Sequence, residues 1–153
     1  MFRFPAGKRN VSFKEDDCME KALEFLKTNK EVAFATVEGD KPKIRVFQIM
    51  KQQGNTLYFV TAPKKEVYRQ LQENPNVEIL AIKENVFVRI AGQAMFDVDD
   101  TTARKIYAAN PVLPRLYKAY TDLVYFRLVA ESLDYYDLTP DPPLQEHYDY
   151  GQK

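Results

Sequence analysis

The chain has 153 residues, 45% of them hydrophobic, and 22 basic residues balance 22 acidic ones. That length makes one domain the default, and the apolar share excludes a disordered chain. A net charge of zero gives no support for nucleic-acid binding, no apolar run reaches bilayer length, and the N-terminus lacks the apolar run of a signal peptide.

In chain order, Ser12 and Glu15 fit a capping box, which predicts a helix from about Phe13 to Thr28 with Met19, Ala22, Leu23 and Leu26 on one side. Val32 to Val37 reads as a short apolar strand. Glu38 to Lys41 turns the chain into a second strand, Lys43 to Lys51, in which Ile44, Val46, Gln48 and Met50 share one face and Arg45, Phe47 and Ile49 the other. A turn at Gln53, Gly54 and Asn55 leads to a strand from Thr56 to Thr61. A helix then runs from Lys64 to about Glu73, ended by Pro75, because proline cannot continue the ladder.

Val77–Lys83 and Val86–Val98 are two more strands, the second with a bulge or bend at Gly92. Asp99 and Asp100 cap a helix to about Ala109, and Leu113 to Tyr120 forms another short helix. Leu123–Ala130 and Leu133–Leu138 read as the last strands. After Pro140 the chain is polar, with little apolar periodicity, and is expected on the surface or partly without order. Six to seven strands joined mostly by hairpins predict a mainly β, antiparallel barrel with inserted helices. No Gly-rich β-α-β unit suggests a dinucleotide fold. The domain spans 1–153, with about 1–11 and 139–153 as peripheral segments.

Cys18 and His147 are the single cysteine and the single histidine. No intrachain disulfide is possible, which fits a cytoplasmic protein, and a zinc site of several Cys or His ligands is disfavoured. The chemistry concentrates between Lys43 and Leu71. A helix N-terminus presents backbone N–H groups and a partial positive charge, so it favours an anion. Lys64 and Lys65 add cations where an isolated helix would not place them, Arg45 offers a planar bidentate grip, and Thr61 offers a hydroxyl. The same residues also fit an ordinary charged surface, with Glu66 near the lysines and Arg45 paired across the hairpin with Glu38 or another carboxylate.

The order and spacing of EVAFATVEGDKPKIRVFQ at 31–48, GNTLYFVT at 54–61, KKEVYRQL at 64–71, NPNVEI at 74–79 and VRIAG at 88–92 resemble the FMN-binding split-barrel family, whose best-known member is pyridoxamine 5′-phosphate oxidase. The resemblance runs from about Lys21 to Leu138. It implies a split β-barrel and a homodimer with FMN at the subunit interface. It puts Arg45, Lys64 and Lys65 at the phosphate, Val46, Phe47 and Gln48 beside the flavin ring, and Val60 and Thr61 along the ring or ribityl chain. The strand carrying Arg89 then approaches the flavin, from the other subunit. Tyr136 stands where the oxidase has a tryptophan, Phe87 where it has a glutamine, and residues 137–147 lack the arginine of its substrate motif. The chain therefore resembles the small reductases and nitroimidazole-resistance-type members more than the oxidase itself. The resemblance implies an FMN-dependent oxidoreductase with a small-molecule substrate. It names no catalytic acid or base, no metal, and no nucleic-acid or membrane partner. The alternative is a non-enzymatic protein holding flavin, deazaflavin or haem.

Overall fold

The structure, a computed structural model, describes residues 13–151, with side chains from Cys18 onward. The Ser12–Glu15 capping box falls outside the described residues. Helix α1 (Phe13–Thr28) leads into β1 (Glu31–Glu38), β2 (Lys41–Gln48), β3 (Lys51–Gln53) and β4 (Thr56–Thr61). Helix α2 (Glu66–Glu73), β5 (Asn76–Lys83) and β6 (Val86–Met95) follow. After them come α3 (Asp100–Ala109), α4 (Val112–Leu116), a 3₁₀ turn at Tyr120–Asp122, β7 (Val124–Asp137) and β8 (Leu144–Asp149).

All strands pair antiparallel, in the order β2-β1-β5-β6-β7-β4-β3, with β8 also on β7. The sheet is that of a split barrel and its hydrogen-bonded path does not close. The tight hairpins rest on Gly39 (φ +61°) and Gly54 (φ +58°), which take the left-handed backbone that β-carbons disfavour.

Several sequence expectations need correction; among them, β6 ends at Met95 rather than Val98, and α4 at Leu116 rather than Tyr120. The strand expected from Lys43 to Lys51 is two strands. At Ile49 and Met50 the chain changes partners: the Ile49 N–H donates to Lys30 O at 2.8 Å, and the Met50 N–H donates to Tyr58 O at 2.9 Å. No glycine or proline marks this corner, so the alternating pattern ran straight through it. The two strands expected at 123–130 and 133–138 are one, β7, with a register shift opposite Ala91 and Gly92 that skips Glu131. The irregularity expected at Gly92 is thus present, but the extra residue lies opposite it, on β7. The tail beyond Pro140 is no loose segment. Its residues 144–149 form β8, with Tyr148 buried.

The main core lies between the inner face of the sheet, α1 and α2. Phe34, Phe59 and Phe126 are fully buried there, and Phe47 joins them with its ring 4.6 Å from that of Phe34. A second core gathers Val60, Ile106, Leu113 and Leu123 under α3 and α4. Asp99 caps α3, its Oδ1 accepting from the Thr102 N–H at 2.6 Å.

The outer face of the sheet is divided. Paired positions on neighbouring antiparallel strands share a face, so Val46, Ala33, Leu80, Arg89, Asp134 and His147 form one row across β2, β1, β5, β6, β7 and β8. The β2-β1-β5 end is apolar, with Ile44 71%, Val46 70% and Ile82 62% exposed. The β7-β8 end is charged. Among the described residues, no helix is long and apolar enough to cross a membrane.

Candidate functional site

A cavity of about 570 Å³ opens between β2, the end of β4 and the start of α2, and Tyr117 closes it on the α4 side. This size suits a small organic ligand. Its wall carries the cations Lys43, Arg45 and Lys65 against one carboxylate, Glu66. Strand alternation puts Arg45 and Phe47 on the inner face of β2, and the end of β4 contributes Val60 and Thr61, both buried.

Lys65 is the N-cap of α2, in extended backbone (φ −76°, ψ 140°), and no side chain caps the helix. The first turn therefore presents its backbone N–H groups without the usual Ser, Thr or Asp oxygen. The helix begins two residues later than the sequence predicts, because Ala62 to Lys65 form a turn closed by the Lys65 N–H donating to Ala62 O at 3.0 Å.

Arg45 is held by neutral groups. Its Nη1 donates to Thr36 Oγ1 at 2.7 Å and to Phe34 O at 3.3 Å, and its Nη2 donates to Gln70 Oε1 at 2.8 Å. The pairing with Glu38 weighed from sequence does not form. Glu38 instead accepts from Arg69 at 2.9 Å and from Gln70 Nε2 at 3.1 Å. Arg69, then Gln70, hold the Glu38 carboxyl below its usual range. Among the described residues no carboxylate forms an ion pair with Arg45, Lys43 or Lys65. Burial lowers the Arg45 pKa, partly offset by Glu66. These bonds leave the Arg45 Nε–H and one Nη2–H unused. A half-buried, always-charged donor set without a carboxylate partner suits an anionic ligand.

The sequence-predicted residues divide into two groups. Arg45, Val46, Phe47, Val60, Thr61 and Lys65 line this one cavity. Gln48, Lys64 and Arg89 do not. Lys64 is exposed beside the cavity, and Gln48 ends β2. Arg89 lies on the outer face, where its Nε donates to Asp134 Oδ2 at 3.0 Å and its Nη2 to the Tyr136 hydroxyl at 3.2 Å. Sequence reasoning missed Thr36, Gln70, Lys43 and Tyr117. Thr36 and Gln70 are buried polar residues in apolar strand and helix patterns, which was the available signal.

Tyr58 and Tyr125 pack against the second core. Burial pushes the Tyr125 phenol up to about 12. Tyr136 instead meets Arg89 and Phe87. His147 is also remote from the cavity lining, its two ring nitrogens 2.6 and 3.0 Å from Asp134 and Asp149.

The sequence profile of pyridoxamine 5′-phosphate oxidase matches residues 18–135. No curated protein matches the chain. Several solved structures share the fold. A protein from Clostridium acetobutylicum, related to general stress protein 26 of B. subtilis, superposes with a TM-score of 0.74 at 15% identity over 88% of this chain and 96% of its own. A NimC/NimA family protein, also from C. acetobutylicum, gives 0.69 at 26% identity over 85% and 93%. An FMN binding protein from Nostoc punctiforme, related to pyridoxamine 5′-phosphate oxidase, gives 0.64 at 17% identity over 92% of each chain.

Proposed function

The chain belongs to the pyridoxamine 5′-phosphate oxidase family, and from that premise we propose that it is a homodimeric, FMN-dependent oxidoreductase acting on a small molecule. The observation that carries the reading is Arg45, a partly buried guanidinium with unused donors and no carboxylate partner, beside an uncapped helix N-terminus. In this reading Arg45, Lys65 and the first-turn amides of α2 hold the phosphate. Phe47, Val60 and Thr61 line the cavity beside the flavin and exclude water. Bound FMN would supply the electron and hydride chemistry, while the chain supplies grip and orientation.

The apolar end of the outer face favours the dimer. Ile44, Val46 and Ile82 together make an exposed apolar strip of the kind that marks an interaction surface. Val46 and Ile44 also line the cavity, so a second copy seated there would cover its mouth. Arg89, on the same face, would then be available to the partner's flavin. Lys64, next to Lys65, and Gln48, next to Phe47, complete the proposed cofactor set. A cytoplasmic home fits the single cysteine.

The test is the absorption spectrum and the flavin-fluorescence titration of the purified protein. Flavin bands and quenching on binding are expected, whereas a Soret or deazaflavin spectrum, or a colourless protein that does not quench FMN, would replace this reading. Arg45→Ala should weaken FMN binding by about ten- to a hundredfold, the range for hydrogen bonds to charged groups.

A further inference from the structure

The buried pair Thr36 and Gln70 has no place in the reading above, yet it joins Arg45 to Glu38 through side-chain hydrogen bonds. Thr36 is 2% exposed and Gln70 1%. The Thr36 hydroxyl donates to Gln70 Oε1 at 2.6 Å and accepts from Arg45 Nη1 at 2.7 Å. Gln70 Oε1 also accepts from Arg45 Nη2 at 2.8 Å, while Gln70 Nε2 donates to Glu38 Oε2 at 3.1 Å. Glu38 is fixed in turn by Arg69 at 2.9 Å. Every proton in this chain has one consistent direction. Glu38 accepts only, so the Gln70 amide must turn its N–H₂ there and its oxygen to Arg45.

From this connectivity we infer that Gln70 and Thr36 are positioning residues that lock the Arg45 guanidinium in the pose that receives the ligand's phosphate. The inference rests on the phosphate reading of the cavity. Two physical features support it. First, the lock uses neutral acceptors. A carboxylate in place of the Gln70 amide would form a buried ion pair with Arg45 and cancel the charge offered to a ligand. The structure instead keeps Glu38 one residue further out, separated from Arg45 by the amide. Second, Gln70 belongs to α2, which also carries Lys65 and the first-turn amides, whereas Arg45 belongs to β2 and Thr36 to β1. The amide therefore ties the two halves of the grip together. Fixing a long side chain in advance lowers the ordering cost of binding.

The experiment compares FMN with riboflavin, which has the same ring system without the phosphate. Affinities for both are measured by fluorescence titration on wild type, Gln70→Glu and Thr36→Val, with folding checked by circular dichroism. Wild type should prefer FMN. Gln70→Glu should lower the FMN-to-riboflavin affinity ratio by about ten- to a hundredfold, and Thr36→Val by about three- to tenfold, as expected when a charged donor is neutralised or loses one support. Riboflavin affinity should stay near wild type in both. A general loosening of the fold would lower both ligands alike, so a folded variant of either kind with the wild-type ratio overturns the inference. If wild type itself binds both flavins equally, the phosphate reading fails first and takes the inference with it.

Discussion

His147 stands on β8 between two carboxylates, Asp134 of β7 at 2.6 Å and Asp149 of its own strand at 3.0 Å. Arg89 approaches the same Asp134 from β6 at 3.0 Å. The Asp134 hydrogen bond is the largest cause that raises the His147 pKa above its ordinary 6.5, against a smaller opposing effect of burial. A raised folded-state pKa contributes stability that is fully present below the unfolded value and is lost as pH rises through the folded one. β8 should therefore be held most firmly below pH 6.5 and loosen as pH rises through the raised folded-state value. Hydrogen exchange of the β8 amides at a series of pH values checks this. Protection that falls with rising pH in wild type, but is flat in His147→Gln, is the expected outcome. At this scale the sequence was partly legible. Arg45 and Lys65 could be read from strand alternation and a helix start. Gln70 could not, because its meaning comes from Thr36 and Glu38 of β1, 34 and 32 residues away in sequence, which only folding brings alongside.

The strand β7 is the element on which the sheet turns. Its first half pairs β4, its second half pairs β8, and β6 runs along both. At the register shift Gly92 lies against it so closely that a β-carbon would sit 2.5 Å from Val129 O and 2.8 Å from Leu128 Cδ1. The first of these contacts is backbone and cannot rotate away. Gly92→Ala should destabilise the protein by about 1–3 kcal/mol, the usual cost of overpacking, read as a lower urea midpoint. The hairpins and α3 were legible because each carries a local signal: Gly39, Gly54 and the Asp99 cap. β8 was not, since one buried side chain, Tyr148, and a half-buried Leu144 give too weak an alternation in a proline-bearing polar tail. The β2–β3 break was not legible either, because backbone pairing rather than sequence pattern decides where a strand changes neighbours.

At the scale of the whole molecule, the proposed dimer rests on the apolar end of the divided outer face. Ile44 and Val46 are already exposed, so charging them should not disturb the chain's own core. Val46→Glu combined with Ile44→Asp should convert a dimer to a monomer with unchanged circular dichroism, measured by light scattering, and should weaken FMN binding as well. A wild type that is monomeric at working concentration, or a double variant that stays dimeric, would reject the homodimer. Family and fold were legible from the order of the segments together. The position of the cavity relative to the apolar strip was not, because it depends on how far β2 and β4 separate.

That separation has a mechanical consequence. The two outermost strands of the sheet path, β2 and β3, are consecutive in sequence and joined only through Ile49 and Met50. Three residue steps from Gln48 to Lys51 reach at most about 11 Å when fully stretched. Each joining residue is also anchored, Ile49 to the loop before β1 and Met50 to β4. The sheet's open seam is thus hemmed by a short backbone tether. The cavity walls at β2 and β4 are held close at that end by backbone that cannot lengthen.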